Sequence, residues 1–352
     1  MENDTIIGMD LVNAKHVACA LGADGKVLFL CEVANEPEAL SAFFKEHAGA
    51  LVAMETGTCC RFVSALARSC GCRPLVGNAR KLALIWMSAR KNDRSDAEKI
   101  ARTARMDREL FAPVELRDDE HHEMVQLIEL RDIAVAQRTQ AVNAVRGMCK
   151  AYGVFLPRCG AECFHRVAEA CVPKAMKWKF APMLRHLKEL KETVRKYDAL
   201  IRKYSKAHFA EEVALLQTVP GIGEVTSNAF VAHVPDAKRF GRARDAGAFF
   251  GLVPRQDKSG TIDIPRRITK TGSTLMRTLL VNAANYVLRD SSPDNALKRF
   301  GMRICARGGK VARARRKAKT SVARKLAVVM LAMLKSGKPY DDALAARFEA
   351  AA

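Results

Sequence analysis

The period of apolar and polar positions changes along the chain and divides it into three stretches. Up to about residue 110, short apolar runs alternate with helical patterns. "TIIGMD" is a brief apolar run ending in Asp10. "KHVACALG" and "KVLFLCEV" flank "ADGK", whose Asp-Gly pair suits a hairpin turn. The helical stretch "PEALSAFFKEHA" follows, then the strand "ALVAME" ending in Glu55. A helix over 58–70, a buried strand "RPLVGN" and helices over 79–106 complete the stretch. A hairpin followed by strand–helix alternation predicts an α/β domain over residues 1–112, a mixed sheet flanked by helices.

From 118 to 217 the pattern is almost wholly helical. "HHEMVQLIELRDIAVAQRTQAVNAVRGMCKAYG" reads as one long helix ending near Gly153. A second helix begins at "MLRHL", where Met183, Leu187, Leu190, Val194, Tyr197, Ile201 and Tyr204 are spaced 4-3-4-3-4-3. That a/d seam fits either a packed helix pair within one chain or a coiled coil between copies. The linker between the two helices reads as irregular. Residues 113–210 thus form a helical connector. A third domain over 211–340 opens on a Pro-Gly turn and is mainly helical, and the Ala-rich residues 341–352 read as a frayed tail.

Composition narrows the class. The 352 residues exceed one ordinary core, and 49% are apolar, so several cores are affordable. No run of about 18 apolar residues occurs, and the N-terminus lacks the basic start of a secretory signal. Eleven cysteines without a repeating framework point to free thiols in a reducing cytoplasm. Lys and Arg number 59 against 38 Asp and Glu, a net charge of +21. That excess calls for a polyanionic partner, nucleic acid before membrane, because no amphipathic basic segment lies at either end.

Chemistry enters with "KNDRSDAEKIARTARM". Asp93 and Asp96 stand three apart, on one face of a helix, where they either cap its N-terminus or share a cation. Asp10 and Glu55 end two strands that can converge at one sheet edge. Taken singly, each has a mundane reading. Four carboxylates together need cations to stay ionised, and hard oxygen donors select Mg²⁺ or Mn²⁺. Such a set suits metal-dependent phosphodiester chemistry.

The pieces "IGMDLVNAKHVACAL", "VAMETGTCCRFVSAL" and "KNDRSDAEKIAR" resemble the three catalytic blocks of the DEDD transposases. These are insertion-sequence recombinases with a RuvC-like, ribonuclease-H-like N-terminal domain, related to the Piv DNA invertases. The resemblance places the D-E-D-D set on Asp10, Glu55, Asp93 and Asp96, as both catalytic residues and metal ligands. Asn92 departs from the Thr common before the third acid, outside the ligand set. The resemblance further implies a structured bridge RNA as guide, donor and target DNA as substrates, a homo-oligomer (dimer or tetramer) and a nucleoid-associated place in a bacterial cytoplasm.

In the third domain, "TVPGIGEVTSNAF" puts Gly221 and Gly223 in a tight turn between helices. This is either a helix-hairpin-helix, whose backbone N–H groups approach a phosphate, or an ordinary helix–helix turn. "GAFFGLVPRQDKSGTIDIPRRITKTGSTLMRTLLVNAA" resembles the C-terminal domain of the same family, whose nucleophilic serine falls on Ser259. Arg255, Lys258, Arg266, Arg267 and Lys270 are near enough in sequence to stabilise a pentavalent phosphate. Ser273, the nearest rival, suits the first turn of the helix beginning near Thr274. Between Asn295 and Tyr340 stand 14 Lys or Arg and no acid. Within that tract Arg313, Arg315, Arg316, Lys317 and Lys319 form either a solvated face or a nucleic-acid backbone contact.

Other chemistries fail on spacing. Cys59-Cys60 with Cys70 and Cys72, and Cys159, Cys163, His165 and Cys171, lack the paired C-x2-C of a structural zinc site. No H-E-x-x-H and no Walker A run occurs. The expectation is an RNA-guided DNA transposase working through a phosphoserine link. A RuvC-like nuclease using metal-activated water and a non-catalytic nucleic-acid-binding protein are the alternatives.

Overall fold

The computed structural model describes residues 5–82, 92–259, 262–264, 266–307 and 311–347. It divides into two compact units, residues 1–116 and 117–352.

The first unit is built on a five-stranded mixed sheet. Its strands are β1 (Ile6–Asp10), β2 (Lys15–Leu21), β3 (Val27–Ala34), β4 (Leu51–Glu55) and β5 (Arg73–Gly77), in the order β3-β2-β1-β4-β5. The predicted hairpin is β2–β3, antiparallel to each other, with β1 antiparallel to β2 and parallel to β4. Helices α1 (Pro37–Glu46) and α2 (Cys60–Ser69) cover one face, burying Leu40, Phe44, Val63 and Ala67 against Ile7, Met9, Val52 and Met54. Helix α3 (Asp93–Met106) covers the other, where Ala97 and Ala101 meet Val17, Cys19 and Leu21, and Ile100 and Ala104 meet Ala53. The remainder of the helical stretch expected over 79–106, residues 83–91, lies outside the described residues.

The second unit opens on α4 (Asp119–Lys150), α5 (Phe164–Cys171) and α6 (Lys174–His208). Two expectations are corrected here. The linker is not wholly irregular, because α5 forms within it and buries Phe164 and Ala168. Helix α6 starts nine residues before Met183 and runs through Pro182. An interior proline costs a helix about 3 kcal/mol. Burial of Phe180 and Leu184 against Val145 and Cys149 of α4 offsets that cost.

The heptad seam packs inside the chain. Leu187, Leu190, Val194 and Ile201 are buried, and Met183 alone of the seam is exposed. Met124, Val125 and Ile128 share a core with Ile201, Arg131 pairs with Asp198 at 2.6 Å, and Ala141 and Val145 meet Leu184 and Leu187. The two helices therefore run antiparallel along each other.

Helices α7 (Ala210–Gln217), α8 (Glu224–His233), α9 (Ala246–Phe249), α10 (Thr274–Val287), α11 (Ala296–Arg307) and α12 (Val311–Ser336) gather around one core with the near ends of α4 and α6. The tail is not wholly frayed. Helix α13 (Asp342–Arg347) is pinned by Asp342, which accepts from Ala296 N–H at 2.7 Å and Tyr340 Oη at 2.8 Å and pairs with Arg299. Residues 348–352 lie outside the described residues. All eleven cysteines are free thiols. Among the described residues no helix is long and apolar enough to cross a membrane.

Candidate active site

Strand register brings the first two carboxylates together. Met9 pairs with Met54 in the parallel β1–β4 ladder, so Asp10 and Glu55, the next residue of each strand, end side by side. Neighbouring strands lie about 4.8 Å apart. Side chains alternate along a strand, and Met9 and Met54 face α1 and α2. Asp10 and Glu55 therefore belong to the opposite face, the one α3 covers. Glu55 Oε1 is shut off from solvent.

Helix α3 delivers the other two from the same direction. Its last turns reach the β2–β3 turn, where Arg102 donates to the Gly25 carbonyl and Arg105 to that of Ala23. That turn lies at the Ile6 end of β1, since Ile6 pairs with Leu21. The first turn of α3 must then lie toward the opposite end, where Asp10 and Glu55 stand. Asp93 and Asp96 extend the buried stripe of Ala97, Ile100, Ala101 and Ala104 by one turn; Asp96 is buried, and Asp93 is exposed.

Capping falls to another residue. Asn92 is the N-cap, its Oδ1 accepting from Ser95 N–H at 2.8 Å, so the helix end takes its cap from neither aspartate. The capping alternative stated for that pair is corrected accordingly.

Two residues of the site carry no sequence signal of their own. Gly8 is the point where α3 rests on β1: an added Cβ would lie 2.3 Å from the Ala97 carbonyl oxygen and 2.4 Å from Ala101 N. Lys99 sets its ammonium 3.1 Å from Asp96 Oδ1. On the opposite face of the sheet, His16 is fully buried and accepts from Val12 N–H at 3.1 Å; burial holds its pKa below the usual imidazole value.

The donor set has the right chemistry for a hard divalent cation, being carboxylate oxygens alone, with Asp96 and one oxygen of Glu55 buried. Register and helix direction bring the four acids to one corner of the sheet without closing them into a cage. Among the described residues no three His, Cys, Asp or Glu side chains converge closely enough to hold a metal ion, and this includes the cysteine clusters.

Ser259 stands in a different setting, on a two-stranded antiparallel ribbon over 251–270. Its root is laced by Lys270 N–H to Gly251 O at 3.1 Å, Thr269 N–H to Val253 O at 2.9 Å and Arg255 N–H to Arg267 O at 2.9 Å. Its far end is β6 (Lys258–Ser259) against β7 (Ile262–Asp263), where Ser259 pairs with Ile262. Ser259 is thus the last strand residue before the tip, rather than part of an open turn. The side chains of Lys258 and Ser259 lie outside the described residues, as does Gly260.

The ribbon root holds three residues at positive φ, Gly251 at 66°, Lys270 at 57° and Gly272 at 73°. For Lys270 this conformation costs roughly 1–2 kcal/mol. Arg266 is paired with Asp257 at 2.6 Å, whereas Arg255, Arg267 and Lys270 are exposed. Ser273 is the N-cap of α10, accepting from Met276 N–H at 3.2 Å, as its place in the sequence predicted.

The two glycines of the earlier turn differ in their surroundings. Gly221 takes φ 82° and a Cβ there would lie 3.1 Å from the Ala283 carbonyl oxygen, so it serves the packing against α10. Gly223, the N-cap of α8, faces open space. Glu224 in the first turn of α8 is held by Arg202 through bonds of 3.0 and 2.9 Å. On α12, Ala314, Ala318 and Val322 face the core; Arg313, Arg315, Arg316 and Lys317 are exposed and Lys319 is half-buried. None of these five pairs with a carboxylate among the described residues.

Comparison with known proteins identifies the family. Residues 7–153 match the transposase family model of the DEDD type from IS110 elements, and residues 213–300 match the transposase family IS116/IS110/IS902. The transposase for insertion sequence element IS1111A of Coxiella burnetii is 28% identical over 303 residues, covering 82% of this chain and 79% of the relative. The transposase for IS1328 of Yersinia enterocolitica is 28% identical over 82% of this chain and 85% of its own length. A pilin gene-inverting protein of Moraxella bovis is 27% identical over 36% of this chain and 38% of its own. Matched at both ends by one family, the chain belongs to the IS110-family DEDD transposases.

Proposed function

We propose that this transposase cuts and rejoins DNA through a serine nucleophile, with Asp10, Glu55, Asp93 and Asp96 as ligands of Mg²⁺ or Mn²⁺ and a structured RNA as guide. The observation that supports the reading is that strand register ends β1 and β4 side by side at Asp10 and Glu55, with the first turn of α3 toward the same end of the sheet. The sheet order suits a RuvC-like domain. A bound divalent cation would supply Lewis-acid stabilisation of charge developing on the phosphate oxygens. The four carboxylates hold that charge in place, and Lys99 neutralises Asp96 beside them.

On the ribbon, the Ser259 hydroxyl attacks a DNA phosphodiester. The Ser–O–P bond forms, the bond to the leaving 3′ or 5′ oxygen breaks, and that oxygen leaves with the proton balance closed by solvent. Arg255, Lys258, Arg267 and Lys270 supply positive charge to the phosphate, with Arg266 shared with Asp257. Gly223 at the α8 N-terminus and the basic residues Arg313, Arg315, Arg316, Lys317 and Lys319 of α12 hold nucleic-acid backbone. In this reading the turn around Gly221 and Gly223 acts as a helix-hairpin-helix, and 113–210 connects a catalytic domain (1–112) to a C-terminal one (211–340). The enzyme works as a homo-oligomer in the bacterial cytoplasm.

The test is replacement of single acids. Asp10→Asn and Asp96→Asn should each abolish strand cleavage while DNA affinity by gel shift stays near wild type. Cleavage at the wild-type rate by either variant, or by wild type in EDTA, would refute the carboxylate assignment.

A further inference from the structure

We propose that the far end of the α4–α6 helix pair is a stacking platform for unpaired nucleic-acid bases. Three aromatic rings stand out there: Tyr152, Phe155 and Trp178 are 63%, 76% and 77% exposed. Their exposure does not come from a loose segment. Val154, Leu156, Cys159 and Met176, on either side of them, turn inward onto the core of Cys149, Phe164 and Phe180. Arg146 further fixes the chain by donating to the carbonyls of Leu156 at 3.0 Å and Pro157 at 2.9 Å. Phe155 sits between two anchored neighbours and faces out.

One contact ties both sides of the platform together. Lys179 Nζ lies 3.9 Å from the centre of the Tyr152 ring, so the residues after α4 meet the start of α6. All three rings lie within three residues of that contact. The charge around them is mostly positive. Between Arg146 and Pro182 stand seven Lys or Arg and two Glu, and one of the two, Glu162, is paired with Arg138.

Flat apolar faces among ammonium groups match a ligand that is itself flat, aromatic and anionic along its backbone. Every base offers a π-face, and stacking on protein aromatics contributes roughly 1–3 kcal/mol per base. Duplex bases have those faces covered by each other, so the platform selects unpaired strands, whether loops of RNA or opened DNA. The inference shares with the proposed function only the premise that the chain binds nucleic acid, and needs neither the serine nor the carboxylates.

The experiment is fluorescence anisotropy with the full-length protein and labelled unpaired oligodeoxyadenylate, unpaired oligoriboadenylate and a blunt DNA duplex. Trp178→Ala and Phe155→Ala should each weaken binding of an unpaired strand about 10-fold, while Trp178→Phe stays within about two-fold of wild type. Duplex affinity should stay at the wild-type value. The strand that loses more, ribo or deoxy, identifies the source of the unpaired bases. Asp10→Asn should bind unpaired strands as wild type does, whatever happens to its cleavage. Unchanged affinity of both alanine variants for both unpaired strands overturns the proposal, as does an equal loss on duplex. In a parallel co-sedimentation with phosphatidylserine vesicles, a loss confined to the vesicles would make the patch a membrane contact instead. A fall in mass by light scattering with strand binding intact would make it an interface between copies, and either result overturns the platform.

Discussion

Single residues govern the carboxylate corner, and only some of them could be read from the chain. Asp10 and Glu55 were legible because each closes an apolar run, and their pairing follows from the parallel register. The division of labour in "KNDRSDAEK" was not legible: Asn92, seen only as a departure from a family pattern, is the cap. Gly8 looked like an ordinary strand glycine, since backbone approach by a distant helix leaves no trace in local periodicity. Its requirement gives a prediction. Gly8→Val would press a side chain into the backbone of Ala97 and Ala101, so thermal unfolding should show a loss of about 1–3 kcal/mol, as for overpacked cores. Gly57→Ala, where a Cβ meets open space, should leave the melting temperature unchanged. Equal melting of both variants would mean that α3 does not depend on the glycine for its seat.

At the scale of elements, the strands and the long helices followed from apolar period, and errors came where tertiary burial overrode local preference. Helix α6 crosses Pro182 because Phe180 and Leu184 lie on opposite sides of it in one core. Helix α5 is too short to announce itself by period. The seam was visible in full, but its partner was not, because a/d spacing is the same whether the facing helix belongs to the same chain or to another. With α4 as that partner, Leu190→Glu together with Val194→Glu buries two charges inside the second unit. Such a change costs several kcal/mol. Circular dichroism should therefore report a melting temperature lowered by ten degrees or so, in proportion to that cost. Dissociation of an oligomer into stable, fully helical monomers would instead place the seam between copies. The serine ribbon escaped sequence reading for a related reason: its strands are two residues each at the tip, and its root is held by cross-strand bonds between loops.

For the whole molecule, the net charge of +21 and the two-ended family match agree on a DNA-handling enzyme. The basic residues of α12 stand on its outer faces, while the alanines at 314 and 318 seat it on the core, so charge and packing divide the helix between them. What composition could not reveal is that the connector helices share a core with the C-terminal helices, since burial across 124–333 is a property of the assembled unit alone. The central claim, that strand breakage passes through a serine, separates this enzyme from a nuclease that activates water. It is tested most directly by trapping the intermediate. Wild-type protein mixed with DNA and guide RNA, then denatured and run on a gel, should give a slower-migrating protein–DNA adduct. Ser259→Ala should lose adduct and cleavage together, and Ser273→Ala, which removes only a helix cap, should keep both. Cleavage by Ser259→Ala at the wild-type rate, with no adduct in either protein, would contradict the serine mechanism.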